Sequence, residues 1–359
     1  MPTLKNNNTS QRVDSLKPYR FPWHRLFMGI LLLTVVIAFA TSQGSVGIPF
    51  VTVAKMAIGS LPGIHITETW PSTWQTIIWD IRLPRVISAA IVGAALAISG
   101  GAYQGLFRNP LADPYLVGSA AGAGLGATIV LVTPVPMYYH GLSLLAIFAF
   151  IGALGSVMAA YMLSRVGGLA QTTTLILAGV AIAAMTGAMS AFLLMSSSQD
   201  PRPVLAWLLG GFGSSSWQSL GLALPYIVVG AIITMLHGRI LNALQLDEDQ
   251  ASYLGIDVER AKAIVIATAS LMTAAAVSIS GLIGFVGLIT PHVVRLLWGP
   301  DYRSILPISL IIGSAFLVLA DLAARVILPT GELPVGIVTA FVGAPFFLFI
   351  LRHRGQTWT

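Results

Sequence analysis

Few residues in this chain are placed to do chemistry, and their spacing limits what that chemistry can be. Asp321 and Arg325 stand four apart, so on a helix they share a face and suit a local ion pair. Alternatively Arg325, together with Arg82, offers guanidinium groups to carboxylates on a partner protein, where bidentate pairing would set register. Pro291, His292 and Arg295 fit a kinked helix end with a snorkelling arginine, or else a histidine proton relay. The relay lacks a buried acid, since Asp321 falls near the opposite end of its own segment. Asp247-Glu248-Asp249-Gln250-Ala251-Ser252-Tyr253-Leu254-Gly255 reads as an N-cap, an acidic first turn, a short helix and a glycine stop, a form suited to docking. Phe107-Arg108-Asn109-Pro110-Leu111-Ala112-Asp113-Pro114 reads as a stiff turn with Asp113 as N-cap and Pro114 at the first helical position. Such a hairpin also suits a gate, because it moves only when its two helices move.

Catalytic and metal-binding patterns are missing. The sequence holds neither HExxH nor GxSxG, its six His are dispersed, and no GxGxxG or GxxxxGK[ST] occurs. No catalytic or metal residue is therefore assigned, and any ATP that drives this chain must bind elsewhere. With no Cys there is no disulfide, thiolate nucleophile or Cys-ligated metal. The net charge of +6 and pI near 9.8 could suggest a nucleic-acid partner. Lys and Arg are instead scattered singly between apolar stretches, a pattern of membrane orientation, so no nucleic acid is expected.

The elements that must position these residues are membrane helices. At 359 residues, 56% hydrophobic, 9% charged and mean hydropathy +0.84, the chain carries more apolar surface than a soluble core of this length could bury. A bilayer core of about 30 Å needs about 20 helical residues. Spans are predicted near 24–40, 86–106, 114–133, 142–164, 172–196, 217–236, 261–279, 281–298, 304–328 and 333–351. The fold class is thus all-α, polytopic, with about ten crossings. The stretch 261–298 is too long for one crossing, and Ser278-Ile279-Ser280-Gly281 supplies the break. Val204 to Leu209 is too short to cross and reads as a surface or re-entrant helix. The apolar run Leu26 to Ala40 follows a basic leader and ends in Ala38-Phe39-Ala40, so it is either a cleaved signal peptide or a short first span.

With the N-terminus inside, fourteen Lys and Arg fall in inner segments and five in outer ones. Both termini are accordingly expected in the cytoplasm: a leader over 1–22, a membrane domain over 23–351 that includes an inner loop at 237–262, and an inner tail over 352–359. Trp70, Trp74 and Trp79 mark the long outer stretch 41–79 as one that lies along the membrane surface. Five spans per half permit an inverted repeat, but no residue-level self-similarity supports one. Gly93, Ala97, Gly101 and Gly105, then Gly118, Gly122 and Gly126, form fourfold-spaced stripes that let helix backbones approach closely.

Taken together, the segments resemble the FecCD family of importer permeases, which carry iron-siderophores, haem and vitamin B12. The resemblance covers roughly residues 80–351. It rests on Ile81-Arg82-Leu83-Pro84-Arg85, Val92 to Gly100, the loop Phe107 to Pro114 running into Gly118, Leu177-Ala178-Gly179-Val180, Gly281 to His292, and Glu332-Leu333-Pro334-Val335-Gly336. It implies two permease copies, expected as a homodimer around a central pathway in the inner membrane, with two ATP-binding subunits inside and a substrate-binding protein outside. ATP and Mg would belong to the ATPase, leaving this chain without a cofactor or an enzyme activity. The resemblance implies that Arg82 and Arg325 face acids of the binding protein. It also implies that Asn109 and Leu111 belong to the inner gate with Thr172 as their counterpart, and that Asp247, Glu248, Ala251, Leu254 and Gly255 form the ATPase-coupling element. Asp247 stands where the family commonly has Gly. The substrate class it implies is a bulky metal chelate, iron-siderophore by base rate, with cobalamin and haem close behind. A proton-coupled transporter, the alternative, would need carboxylates near span centres, and the sequence offers almost none.

Overall fold

The computed structural model describes residues 23–44, 46–60, 67, 70–166, 169–328 and 331–354. The leader over 1–22 and the last residues of the tail lie outside them. Helix α1 is Trp23–Ser42, α2 is Phe50–Gly59, and α3, Ser72–Thr76, runs through a π-helical turn, Ile77–Arg82, into α4, Leu83–Leu106. A 3₁₀ turn, Pro114–Val117, leads to α5, Ser119–Val132, followed by α6, Leu144–Ser164, α7, Thr172–Ser196, α8, Arg202–Leu209, and α9, Trp217–Leu236. Two small helices, α10 (Gly238–Leu244) and α11 (Glu248–Tyr253), precede α12, Val258–Ser280. The chain ends in α13, Val286–Trp298, α14, Tyr302–Val326, and α15, Val335–Arg354. The described strands are two-residue hairpin pairs, Tyr138–Tyr139 with Leu142–Ser143 and Arg165–Val166 with Leu169–Ala170.

Seven helical stretches are long and apolar enough to cross a membrane: α1, the continuous α3–α4 rod, α6, α7, α9, α12 and α14. The remaining three predicted spans find the shorter apolar helices α5, α13 and α15. Helix α8 is short, as expected. The apolar run after the leader is α1, which packs on α14 where Gly29 faces Ile311.

Two predicted spans are not continuous helices. At about 1.5 Å per residue, α5 and α13 reach only about 21 and 20 Å, and the difference is made up by irregular backbone. Before α5 the chain makes the 3₁₀ turn and a left-handed Gly118 (φ 87°). Before α13 it stays non-helical from Gly281 (φ 66°) to Phe285 (φ 71°). Inside a bilayer such backbone persists only where other protein groups satisfy it. Here Tyr115 does so: its hydroxyl donates to Ile283 O at 3.0 Å and accepts from Ile283 N at 3.3 Å, while Gly211 N donates to Ser280 O at 2.8 Å. The two broken segments therefore brace each other.

The core is organised on α4, which is buried along most of its length against α12, α13 and α14. The glycine stripes serve packing. A Cβ on Gly93 would sit 2.3 Å from Gly313 O, so α4 and α14 touch through bare backbone. Helix α5 packs on α6 and α7. Beside α1, Val53 and Met56 of α2 close over Ile48, Ile78, Trp70 and Trp74, giving the 41–79 stretch a small apolar cluster of its own. Helices α1 and α7 leave most of their apolar surface uncovered, as lipid-facing or partner-facing helices do.

Candidate functional site

Helix alternation places the loops after α4, α6, α9 and α13 on one face, the basic one, and those after α1, α5, α7 and α14 on the other. The residues singled out in the sequence collect at both.

On the basic face, the 107–113 turn is fixed by its own polar groups. Asn109 Oδ1 accepts from Leu111 N at 2.9 Å, Asn109 O accepts from Ala112 N at 3.1 Å, and Asp113 caps the 3₁₀ turn by accepting from Tyr115 N at 2.8 Å. Arg108 adopts φ 50°, a left-handed conformation uncommon outside glycine. Beneath the turn, fully buried Gln104 donates through Nε2 to Leu288 O at 3.1 Å and Gly287 O at 3.3 Å, tying the end of α4 to α13. Thr172 opens α7, half-buried, and among the described residues no hydrogen bond joins it to Asn109 or Leu111. Helix α7 instead meets the segment after the turn at Gly179, where a Cβ would fall 2.4 Å from Leu116 O.

Beside this turn lies α11, built as the sequence predicts. Asp247 Oδ1 accepts from Glu248 N at 2.8 Å. At the far end Gly255 turns left-handed (φ 80°), with Ile256 N donating to Ala251 O and Gly255 N to Ser252 O, the paired bonds of a Schellman stop. Ala251 is fully buried, whereas Leu254 and Tyr253 project outward, Tyr253 being 89% exposed. Glu248 accepts from Lys262 Nζ at 2.7 Å, which fastens α11 to the start of α12. Nearby, Asp301 caps α14 and accepts from Arg303 and from Asn242 of α10 at 2.7 Å. Burial works against its charge, yet these bonds to Arg303 and Asn242 hold the Asp301 carboxyl below the ordinary carboxylate range. Arg295 donates to Tyr302 Oη at 2.7 Å, so it ends in a packed contact at the helix end.

On the opposite face, Asp321 is fully buried and Arg85 grips it through Nε (3.0 Å) and Nη2 (2.9 Å). The predicted Asp321–Arg325 pair is present at 3.1 Å, though Arg325 Nε is not aligned as a hydrogen-bond donor. Arg85 Nη1 continues to Glu332 at 2.8 Å. The guanidinium groups of Arg82 and Arg325 turn towards α1: Arg82 donates to Thr41 O, Ser42 O and Val46 O, and Arg325 to Ala40 O and Gln43 O. The last carbonyls of a helix lack intrahelical partners and favour cations, so this end of α1 is capped by two arginines from distant segments. Arg82 is thereby only 6% exposed. Arg85 and Glu332 also form part of the wall of a cavity of about 470 Å³ that reaches Tyr138, Trp207, Phe212 and Gln218. Sequence reading missed Arg85 and Gln104. The signals were there: Arg85 stands one helical turn from Arg82, and Gln104 is a polar residue inside an apolar helix.

Residues 30–353, nearly the whole chain, match the FecCD transport family. The chain belongs to that family. Among its relatives, the cobalamin import system permease protein BtuC of Halobacterium salinarum is 46% identical over 288 residues, covering 79% of this chain and 75% of its own. The hemin transport system permease protein HmuU of Yersinia pestis is 39% identical over 343 residues, 92% of this chain and 97% of its own. A metal-chelate type ABC transporter solved in an inward-facing conformation superposes with a TM-score of 0.79 at 30% identity, covering 91% of this chain and 98% of its own. This FecCD protein is therefore a multi-pass membrane transport component of the ABC permease type, and its helical architecture is that of its solved neighbour.

Proposed function

We propose that this chain is the membrane pathway subunit of a binding-protein-dependent importer for a bulky metal chelate, cobalamin first and haem or an iron-siderophore next. Two copies enclose the solute, and ATP hydrolysis in two partner subunits moves the gates. The order among chelates is supported by the cobalamin and hemin relatives, at 46% and 39% identity. The observation that carries the mechanism is α11, a capped helix that presents Tyr253 and Leu254 from the basic face beside the 107–113 turn. Such a preformed knob can receive a push from a docked ATPase and deliver it beside a gate that contains Asn109 and Leu111, with Thr172 of α7 opposite. The basic face is then cytoplasmic, with both termini inside.

On the outer face, Arg82 and Arg325 are the residues that would meet carboxylates of the binding protein. A carboxylate offers a guanidinium a stronger, bidentate partner than backbone carbonyls do, so docking would draw both arginines away from the end of α1. A proton-coupled mechanism is poorly served, because buried Asp321 is engaged in ion pairs with both Arg85 and Arg325.

The test is uptake into proteoliposomes holding the permease, its ATPase and its binding protein. ATP-dependent accumulation of cyanocobalamin is expected, with hemin and ferric siderophores as competitors. Accumulation without any nucleotide would overturn the mechanism, and accumulation of hemin alone would overturn the substrate order.

A further inference from the structure

One carboxylate oxygen on the basic face carries two bonds. Asp247 Oδ1 caps α11 by accepting from Glu248 N at 2.8 Å, and the same atom accepts from Arg108 Nη1 at 3.1 Å. Arg108 is the residue immediately before Asn109, and its left-handed backbone sits at the bend where α4 gives way to the turn. A second bond runs parallel: Gln245 Nε2 donates to Gly105 O at 2.6 Å. The linker ahead of α11 is therefore joined twice to the end of α4, once by a side chain on backbone and once by charge on charge.

The two joints differ in how they can be used. The Gln245 bond is part-buried and neutral. The Arg108–Asp247 pair has both side chains nearly half exposed, at 44% and 49%. Exposed ion pairs hold weakly and re-form readily in water. On the far side, Lys262 holds Glu248, so α11 is gripped between α12 and the turn. A displacement of α11 must either carry Arg108 with it or break the pair.

We propose that Arg108 and Asp247 form the releasable link through which movement of α11 reaches the 107–113 turn. They act as positioning residues that set how tightly gate movement follows ATP hydrolysis. This rests on the reading of α11 as the ATPase-docking element.

The experiment uses the complete reconstituted importer and reads two quantities: co-purification of the ATPase with the permease, and solute imported per ATP hydrolysed. Arg108→Gln is expected to retain the ATPase while lowering the import-to-hydrolysis ratio about five-fold, the upper end for an exposed pair. Asp247→Asn keeps a capping side chain and is expected to lower the ratio equally, with the double variant no worse than either single one. Arg108→Lys preserves the charge and should recover most of the ratio. Raising salt should narrow the gap between the unsubstituted importer and Arg108→Gln at the same salt, because screening acts on this pair only where both charges are present. An unchanged ratio in Arg108→Gln, or additive losses in the double variant, would overturn the link. Failure of the unsubstituted permease to hold any ATPase would instead overturn the docking reading itself.

Discussion

Arg85 of α4 and Asp321 of α14 meet in a two-pronged ion pair, with Nη2 2.9 Å and Nε 3.0 Å from Oδ1, although 236 residues separate them. The Asp321 side chain is 1% exposed and that of Arg85 12%. Removing one partner from such a pair leaves a buried charge uncompensated, which costs about 3–5 kcal/mol. Asp321→Ala leaves Arg85 with the half-exposed Glu332 as its one carboxylate and Arg325 with the α1 carbonyls alone, so a large loss of thermal stability in detergent is expected. Arg85→Met leaves Asp321 with Arg325 and should cost less. If Asp321→Ala melted within about 1 kcal/mol of the unsubstituted protein, the cluster would not be a structural tie.

Close contact of α4 with α14 predicts a contrast between two glycines. Gly93→Ala places a Cβ 2.3 Å from Gly313 O, against backbone that cannot step aside, and a loss of about 1–3 kcal/mol is expected. Gly187 on α7 has open space around it, and Gly187→Ala should be neutral or gain up to about 1 kcal/mol from helix propensity. Thermal unfolding of the two variants side by side checks both, and equal effects would contradict the packing account.

How much of this was legible in the sequence depended on distance along the chain. The caps at Asp113 and Asp247, the stop at Gly255 and the pair Asp321–Arg325 all lie within one or two turns, so spacing alone revealed them. The break after Ser280 was legible because Gly281 follows a serine-rich step. Its length was not, since nothing local says that Phe285 takes a left-handed conformation or that Tyr115 supplies the missing bonds from 168 residues away. The same limit hid the contacts of Arg82 and Arg325 with the end of α1, which depend on α1 packing against α14. Hydropathy led to an apolar helix at each predicted span, seven of them long enough to cross, but it could not distinguish a helix that crosses from one that begins partway.

Acid should act on the basic face in a defined direction. Asp301 has its folded-state carboxyl held below the ordinary range by Arg303 and Asn242. A depressed folded value means the charged form is the one that stabilises. The contribution is therefore present at neutral pH, above the ordinary carboxylate range, and is lost as pH falls through the lower folded value. Asp301→Asn removes that charge but keeps a capping side chain. Its melting temperature should lie below that of the unsubstituted protein at pH 7, with the gap closing as the pH is lowered towards 3. A gap that widened in acid would reverse the sign and refute the assignment.

Sidedness can be tested without first removing any residue, because the chain contains no Cys. Single cysteines placed at Tyr253, 89% exposed beyond α11, and at Tyr138, 65% exposed on the opposite face, would report the two sides independently. Helix alternation requires them to lie on opposite sides whatever the absolute orientation, since α6 alone separates the loop containing Tyr138 from Arg165–Val166 on the face of α11. The excess of Lys and Arg then decides which side is inside. An impermeant maleimide applied to intact cells should label Tyr138→Cys and spare Tyr253→Cys until the membrane is opened. Labelling of both from outside would contradict the helix count between them. Labelling of Tyr253→Cys alone would turn the molecule over, moving α11 away from any cytoplasmic ATPase and leaving Arg108 and Asp247 nothing to transmit.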